Sequence, residues 1–433
     1  MAKNQKISPF SAFLLGVDGM VGSAIFLLPG SLYSKSGNGL ILLLLISGIT
    51  ALFLALCYAS LSSQTSESGA AWLYAYNEFG HFAGFEVGFF TWLQGVATVS
   101  TETAAFLTAL QPFIPKLTVH WIYDIAGVCV IGIIAIIGLF GNKVSSIADN
   151  IATLLKIGAL LIFVVGGVWF MHKVNFVSNV HPTFSSVNNA FSNAFYMYMG
   201  FAFLPVAAAQ MTNPRKNLPR ELLAVIISVS LIYMAVVAVA IGDVGPKIAH
   251  SNLPLALAFS QHFGTIGNIL MTIGTVGSVL GVAISLSYST PYVASSLANE
   301  RGLLPSFFGK KSKTGSPYVS ILITTAVCML IILSGDYLFL VPCTIIVSLV
   351  QYFSTSIVML RKQWKYMKGL ETPPAGSFKL KGGLIVPIIA LLTCIYILVN
   401  LKLKVFIFGA IALVCGIGLY FADKYFKDKK EKA

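Results

Sequence analysis

The chain has 433 residues, of which 57% are hydrophobic and only 10% are charged, and its mean hydropathy is +0.84. These values lie outside the range of soluble domains and are typical of a helical protein that crosses a lipid bilayer many times. In such a chain the net charge of +13 orients the membrane helices, so no nucleic-acid partner is expected.

Apolar runs long enough to span a bilayer predict an all-α polytopic membrane protein with twelve transmembrane helices in a single domain. The runs lie near residues 10–33, 39–62, 80–110, 121–140, 146–170, 188–210, 220–242, 265–298, 317–334, 337–360, 384–401 and 404–422. The first run contains Asp18 and four glycines, so we expect a retained helix and not a cleaved signal peptide.

The basic residues predict the orientation of these helices. If both termini are cytoplasmic, 21 of the 28 lysines and arginines fall in inner segments, including a basic tail at 423–433, and 6 fall in outer segments. One, Lys156, lies within a helix. This distribution predicts a multi-pass protein of the cell membrane with cytoplasmic termini.

Two of the predicted helices are interrupted by helix breakers. The segments are Phe13 to Pro29 (FLLGVDGMVGSAIFLLP) and Ala194 to Pro205 (AFYMYMGFAFLP). Broken helices are tolerated at membrane depth where they line a protein cavity, which favours a transporter. The first opens a repeat over about residues 8–170 and the second a repeat over about 188–360, with two further helices over about 384–422. Because each repeat has five helices, the second must be inverted.

Several motifs carry a family resemblance. Gly22-Ser23-Ala24-Ile25-Phe26 resembles the G-[SA]-G-I-F signature of the amino acid–polyamine–organocation (APC) permeases. Three later stretches resemble segments of that family in the same order: Glu67 to Tyr74, Thr212 to Pro219, and Asn299 to Pro305 together with Gly315-Ser316-Pro317. The resemblance implies a LeuT-like five-plus-five inverted repeat with discontinuous helices 1 and 6, and secondary transport of amino acids or amines.

The two breaks together predict a receptor for the backbone of an α-amino acid. Behind Gly22-Ser23-Ala24, the N–H groups of the following half-helix suit a carboxylate. Unwound carbonyls near Met20, Tyr196 and Met199 suit an ammonium group, and Gly200 allows close approach of the backbone. The alternative is that the glycines only permit tight helix packing.

Helix six also supplies aromatic side chains. By resemblance, Tyr196 corresponds to a site-lining aromatic residue and Phe201 lies in a gating region. Packing alone is the alternative for each.

Three ionisable residues lie within predicted spans, where a charge is costly and indicates function: Asp18, Glu102 and Lys156. By resemblance, Lys156 takes the place of the ion bound by sodium-coupled relatives, which implies sodium-independent transport. Asp18 departs from the family, which usually has a small residue there, and we expect an ion pair between the two. Obligatory exchange and proton coupling both remain open, so protons are a candidate partner.

By resemblance, Glu102 faces the substrate side chain and would favour a cationic group. The alternative is a glutamate bonded to Thr98, Thr101 or Thr103. Many relatives have an acidic residue after the glycine–aromatic pair of helix six, but this chain has Gly200-Phe201-Ala202. A proton-coupling role of that acid therefore cannot be transferred.

The sequence contains no HExxH, Walker or GxSxG motif, so no catalytic residue, cofactor or metal site is expected. The expected partners are a small amino acid or amine and the lipid bilayer. Proton-coupled symport of neutral amino acids, a non-transporting receptor and a channel are the alternatives, and the oligomeric state is left open.

Overall fold

The computed structural model describes residues 8–64, 70–139, 142–177, 182–300, 302–312 and 316–431. Helices make up 86% of the structure. In chain order they are α1 Pro9–Met20, α2 Ala24–Ser36, α3 Leu40–Gln64, α4 Ala70–Phe79, α5 His81–Leu110, α6 His120–Leu139, α7 Asn142–Gly167, α8 Phe184–Tyr196, α9 Pro214–Val244, α10 Pro254–Glu300, α11 Tyr318–Ile332, α12 Tyr337–Met367, α13 Ile385–Val399 and α14 Leu403–Glu431. The motif residues Glu67 to Gly69, Arg301 and Gly315 lie outside the described ranges.

A helix occupies every apolar run that the sequence predicts to be a span. The first run contains both α1 and α2, and the sixth contains α8 followed by a 3-10 helix at Met199–Gln210. Within the described ranges, seven helical stretches are long and apolar enough to cross a membrane, while α1, α11 and α13 are apolar but shorter. A polytopic all-helical membrane protein is therefore confirmed. The count of twelve spans, the inverted repeat and the division at 8–170 and 188–360 stay predictions.

The outer surface of the bundle is apolar. Leu154, Ile266 and Val399 are each at least 74% exposed. Such side chains are stable on a surface that faces lipid and not water.

Glycines on α10 bring this helix close to α7. Gly274, Gly277 and Gly281 face the side chains of α7, and a Cβ at Gly277 would lie 3.0 Å from the Cβ of Leu155. Ala152 and Ala159 of α7 contact the other two glycines. Small residues at such intervals let two membrane helices approach closely. This packing fixes α7, the helix that carries Lys156.

One face of the bundle gathers the start of α5 and the ends of α10, α12 and α14; we call it the C-terminal face. Lys427 near the end of α14 donates to the Gly302 carbonyl at 2.7 Å. Glu78 of α4 accepts from Arg361 and Lys365 of α12, each at 2.9 Å. Lys365 also binds Glu371 at 2.7 Å, and this hydrogen bond lowers the pKa of the Glu371 carboxyl.

On the opposite face, α2 packs directly against the backbone of the 3-10 helix Gly245–His250. A Cβ at Gly30 would overlap the Ser251 carbonyl oxygen and lie 2.7 Å from that of Ile248. Only a glycine permits this approach, which covers the end of α2 away from the C-terminal face.

We expect Gly30→Ala to destabilise the protein by about 1–3 kcal/mol, because the added methyl group meets backbone atoms that cannot rotate away. The apparent melting temperature of the purified protein in detergent measures this. Gly158→Ala is the matched control, since a Cβ there meets nothing within 4 Å and alanine favours a helix interior. Equal stability of both variants would contradict the tight contact at Gly30.

Candidate functional site

The first break lies where the sequence predicts it, between Met20 at the end of α1 and Ala24 at the start of α2. The Val21 N–H still donates to Val17 O at 2.9 Å, and the Gly22 N–H turns back to Met20 O at 3.1 Å. Beyond the break, the Phe26 and Leu27 N–H groups both donate to Ser23 O at 3.0 Å. The carbonyls of Asp18, Gly19 and Val21 and the N–H groups of residues 23–25 are therefore left to find partners outside this segment, and Met20 O has room for a second donor.

Lys156 of α7 supplies one of these partners. Its side chain is fully buried, and its ammonium lies 2.5 Å from Asp18 Oδ1. It also donates to the carbonyl oxygens of Asp18 and Val21, both at 2.9 Å. These contacts use the three hydrogen-bond donors of a lysine. The predicted ion pair is confirmed, and Thr153 and Ser278 complete the surroundings by donating to Asp18 Oδ1 and Val21 O.

Glu102 of α5 does not bind the threonines that the alternative interpretation gave it as partners. Thr98, Thr101 and Thr103 each donate at 2.8 Å to a carbonyl of their own helix and not to Glu102. The carboxylate instead accepts from the Ser23 N–H at 3.1 Å and from the Ser23 hydroxyl at 2.9 Å. The physical reason is that the exposed N–H groups and positive dipole end of a half-helix attract an anion.

Tyrosine hydroxyls hold two of the carbonyls that were expected to take an ammonium group. Tyr233 of α9 donates to Met20 O at 2.8 Å, and Tyr352 of α12 donates to Met199 O at 2.9 Å. A third hydroxyl, that of Tyr337, lies 3.1 Å from the Ser23 hydroxyl. The irregular backbone of both breaks is thus anchored to helices that are distant in sequence.

The two breaks touch each other at Gly200. A Cβ at this position would overlap the carbonyl oxygen of Gly19 and lie 2.8 Å from Met20 Cα. Gly200 therefore serves close packing of backbone on backbone, which was the alternative interpretation, and it also lines the cavity described next.

A cavity of about 600 Å³ runs from the breaks towards the C-terminal face. Of the predicted site residues, the following line it: Asp18, Met20, Gly22, Ala24, Glu102, Tyr196, Met199 and Gly200. The remaining wall comes from α1, α4, α5, α12 and the 3-10 helix Met199–Gln210, and from α10 as far as Glu300, which is exposed at the end of that helix. Among the described lining residues, α2 contributes only Ala24, so the cavity approaches one face of the bundle.

Ser23, Lys156 and Phe201 lie behind the cavity wall. Ser23 and Lys156 are fully buried and act on the break through the hydrogen bonds given above. The ring of Phe201 stacks on Tyr352 with centroids 5.7 Å apart and meets Tyr58 edge-on at 5.6 Å. The binding and gating roles expected for these residues stay predictions.

Sequence reasoning missed the tyrosines that hold the breaks. Tyr233 and Tyr352 are separated from their partners by 213 and 153 residues. The one signal in the sequence is a hydroxyl-bearing side chain inside an apolar run, which needs a partner once it is buried. That signal does not say which partner.

The pair Asp18–Lys156 generates a stability prediction. Lys156→Met leaves a buried carboxylate without its cation and should cost about 3–5 kcal/mol. Asp18→Asn combined with Lys156→Met removes both charges and should be more stable than either single variant. Unfolding in detergent measures the cycle, with the partly exposed pair Asp423–Lys427 as the control in which Asp423→Asn changes little. Additive losses from the two central substitutions would show that the groups are not coupled.

The chain is similar in sequence to known permeases and transporters. The family profile described as "Amino acid permease" matches residues 7–412. The branched-chain amino acid permease BcaP of Bacillus subtilis is 25% identical, over 96% of this chain and 92% of that protein. The methylthioribose transporter of the same organism is 23% identical over the same shares. The chloroplastic cationic amino acid transporter 9 of Arabidopsis thaliana is 25% identical over 71% of this chain and 57% of that protein.

The profile covers both broken helices and the whole cavity wall. This confirms the resemblance found in the motifs around Gly22, at Thr212 to Pro219 and at the end of α10. The chain belongs to the amino acid permease family of the APC superfamily.

Proposed function

We propose that this chain is a secondary transporter of amino acids or their amines that works by alternating access and does not require sodium. The observation that carries the proposal is the meeting of two broken helices at one cavity of about 600 Å³. A volume of this size fits a small solute. Broken helices at membrane depth place backbone N–H and carbonyl groups where they can bind its charged ends.

The shape of the cavity supports alternating access. Its described lining reaches Glu300 at the C-terminal face, while the opposite end of α2 is packed against the Ser251 carbonyl at Gly30. If the C-terminal face is cytoplasmic, as the distribution of basic residues predicts, this is an inward-open arrangement of a cell-membrane transporter. The reverse arrangement would require α2 and the 3-10 helix Gly245–His250 to separate.

The surroundings of Lys156 support sodium independence. Its ammonium donates to the carbonyls of Asp18 and Val21, and backbone carbonyls at helix breaks are the ligands that coupling cations use in broken-helix transporters. A fixed positive charge at these oxygens repels a sodium ion. Because the ammonium is held in place by the Asp18 carboxylate and by two carbonyls, we propose that it stays there throughout the cycle and that flux is driven mainly by a counter-substrate.

The names of the relatives support the substrate class. Two of those compared are named for amino acids, branched-chain in one case and cationic in the other. The Glu102 carboxylate on the cavity wall supports a ligand with a positively charged group.

One observation favours proton-coupled symport as a second candidate. Glu102 is only 3% exposed and lines the cavity, so a proton that reached it from the cavity would neutralise a buried charge next to the substrate. Uptake by exchange would require a counter-substrate inside, whereas uptake by symport would require a proton gradient.

Flux into liposomes containing the purified protein distinguishes these mechanisms. We expect uptake of radiolabelled lysine, cadaverine, leucine or isopentylamine to be unchanged when sodium is replaced by potassium, and to rise severalfold when the liposomes are preloaded with the same unlabelled solute. Uptake driven by a pH gradient into unloaded liposomes would favour symport. A strict requirement for sodium would refute the assignment of Lys156.

The first break can be tested directly with Gly22→Leu. We expect loss of measurable substrate binding with little change in expression, because a bulky side chain would fill the cavity next to Glu102 and the Ser23 N–H. Binding is measured by ligand-induced thermal stabilisation of purified protein. Gly158→Leu is the control, because position 158 faces open space. Unchanged affinity in Gly22→Leu would move the site away from this helix.

A further inference from the structure

The Ser23 N–H, one of the backbone donors expected to bind a substrate carboxylate, already binds a carboxylate of the chain. Glu102 accepts from both the N–H and the hydroxyl of Ser23. A backbone N–H has one hydrogen to donate. A ligand carboxylate could therefore reach the Ser23 donors only by displacing Glu102.

Gly22 makes room for this internal contact. A Cβ at position 22 would lie 2.9 Å from Glu102 Oε1 and 3.5 Å from its Cδ. The glycine of the family motif thus allows the approach of Glu102 to the half-helix. Its role does not require a ligand carboxylate.

Two carbonyl acceptors at the breaks differ from the Ser23 donor, because neutral hydroxyl groups bind them and not a charged side chain. Met20 O receives the Tyr233 hydroxyl and Met199 O receives the Tyr352 hydroxyl. A carbonyl oxygen has two lone pairs. Met20 O also accepts from the Gly22 N–H at 3.1 Å, so both of its lone pairs are used, whereas Met199 O, with one side-chain donor, retains capacity for an ammonium group of a ligand. The breaks can therefore still bind a cation, whereas the Ser23 N–H is already used by an anion.

The charges around the breaks favour the same kind of ligand. Asp18, Glu102 and Lys156 together carry one net negative charge when all three are ionised. Among the described residues that line the cavity, the ionisable side chains with a formal charge are the carboxylates of Asp18, Glu102 and Glu300. A monovalent organic cation would neutralise the break. An amino acid carries one net positive charge fewer than the amine formed by its decarboxylation, and it sets a second carboxylate against Glu102.

We propose that this site recognises an organic amine cation without a carboxylate, and that Glu102 determines this specificity by occupying the carboxylate subsite at Ser23. This rests on the proposed function, since it names the substrate class of the same cavity. An amine binds with Glu102 in place and gains a counter-ion. An α-amino acid loses the two Ser23 donors for its carboxylate unless Glu102 moves away.

Matched pairs of ligands test the proposal, because an amino acid and its decarboxylated amine share a side chain. The probes are leucine with isopentylamine and lysine with cadaverine, and the dissociation constants are measured by calorimetry on the full chain in detergent. For the wild-type protein we expect each amine to bind at least tenfold more tightly than its parent amino acid.

Glu102→Gln should change the two members of a pair in opposite directions. The amines should bind at least tenfold more weakly, because they lose a counter-ion, and the amino acids should bind as well as before or more tightly, because the competing charge is gone. If Glu102→Gln does not fold, Glu102→Asp replaces it: the shorter side chain keeps the charge but withdraws from Ser23, so amino acids should gain affinity.

Glu86→Gln is the matched control. Glu86 lies on the same helix and is 8% exposed, and its carboxylate has no hydrogen-bond partner among the residues that the structure describes. It lies away from the described lining of the cavity. This variant should leave all four affinities unchanged.

Two results are contrary and distinguishable. Tighter binding of amino acids than of amines by the wild type, with an equal loss of both in Glu102→Gln, would overturn the specificity proposed here and leave the transport function intact. Absence of binding and of liposome uptake for all four probes would overturn the proposed function together with this inference.

Discussion

A backbone N–H or carbonyl without a partner inside a bilayer costs several kcal/mol. At the centre of this molecule, side chains from other helices bind backbone groups of residues 18–23 and so avoid that cost. Four different helices supply these side chains. Lys156 comes from α7, Tyr233 from α9, Ser278 from α10 and Glu102 from α5. The break in helix one is therefore also the point where the bundle is joined together.

This arrangement explains why buried charges are present in so apolar a chain. A lysine ammonium can satisfy several carbonyls at once, and Asp18 keeps that ammonium from being an uncompensated buried charge. Glu102 does the corresponding task for a donor on the other side of the break. All three charged side chains therefore serve the backbone groups of the same break, Lys156 and Glu102 directly and Asp18 through Lys156. Because two of the three are carboxylates, the cavity is negatively charged.

The parts of the site that could be predicted from sequence are those with a strong local signal. Glycines in an apolar run locate the break at Gly22, and the cost of isolated charges in a membrane makes Asp18 and Lys156 a pair. The partner of Glu102 could not be predicted, because threonines near it in sequence offered an equally good explanation. Only the packing of α5 against the break shows that these hydroxyls are used by their own helix. The partners of Tyr233 and Tyr352 could not be predicted either, since they lie on other helices.

The contact between Gly200 and Gly19 leaves no side chain between the two broken segments. No larger residue fits at position 200, because any Cβ there collides with main-chain atoms. The spacing of the two segments therefore cannot be adjusted by substitution at this contact. A laboratory or natural route to a new substrate must then leave this contact alone and act on the cavity wall, at positions such as Phe203, Leu286 or Val293. The contact between the two breaks therefore restricts substitution, whereas side chains of the cavity wall can change and alter which substrate fits.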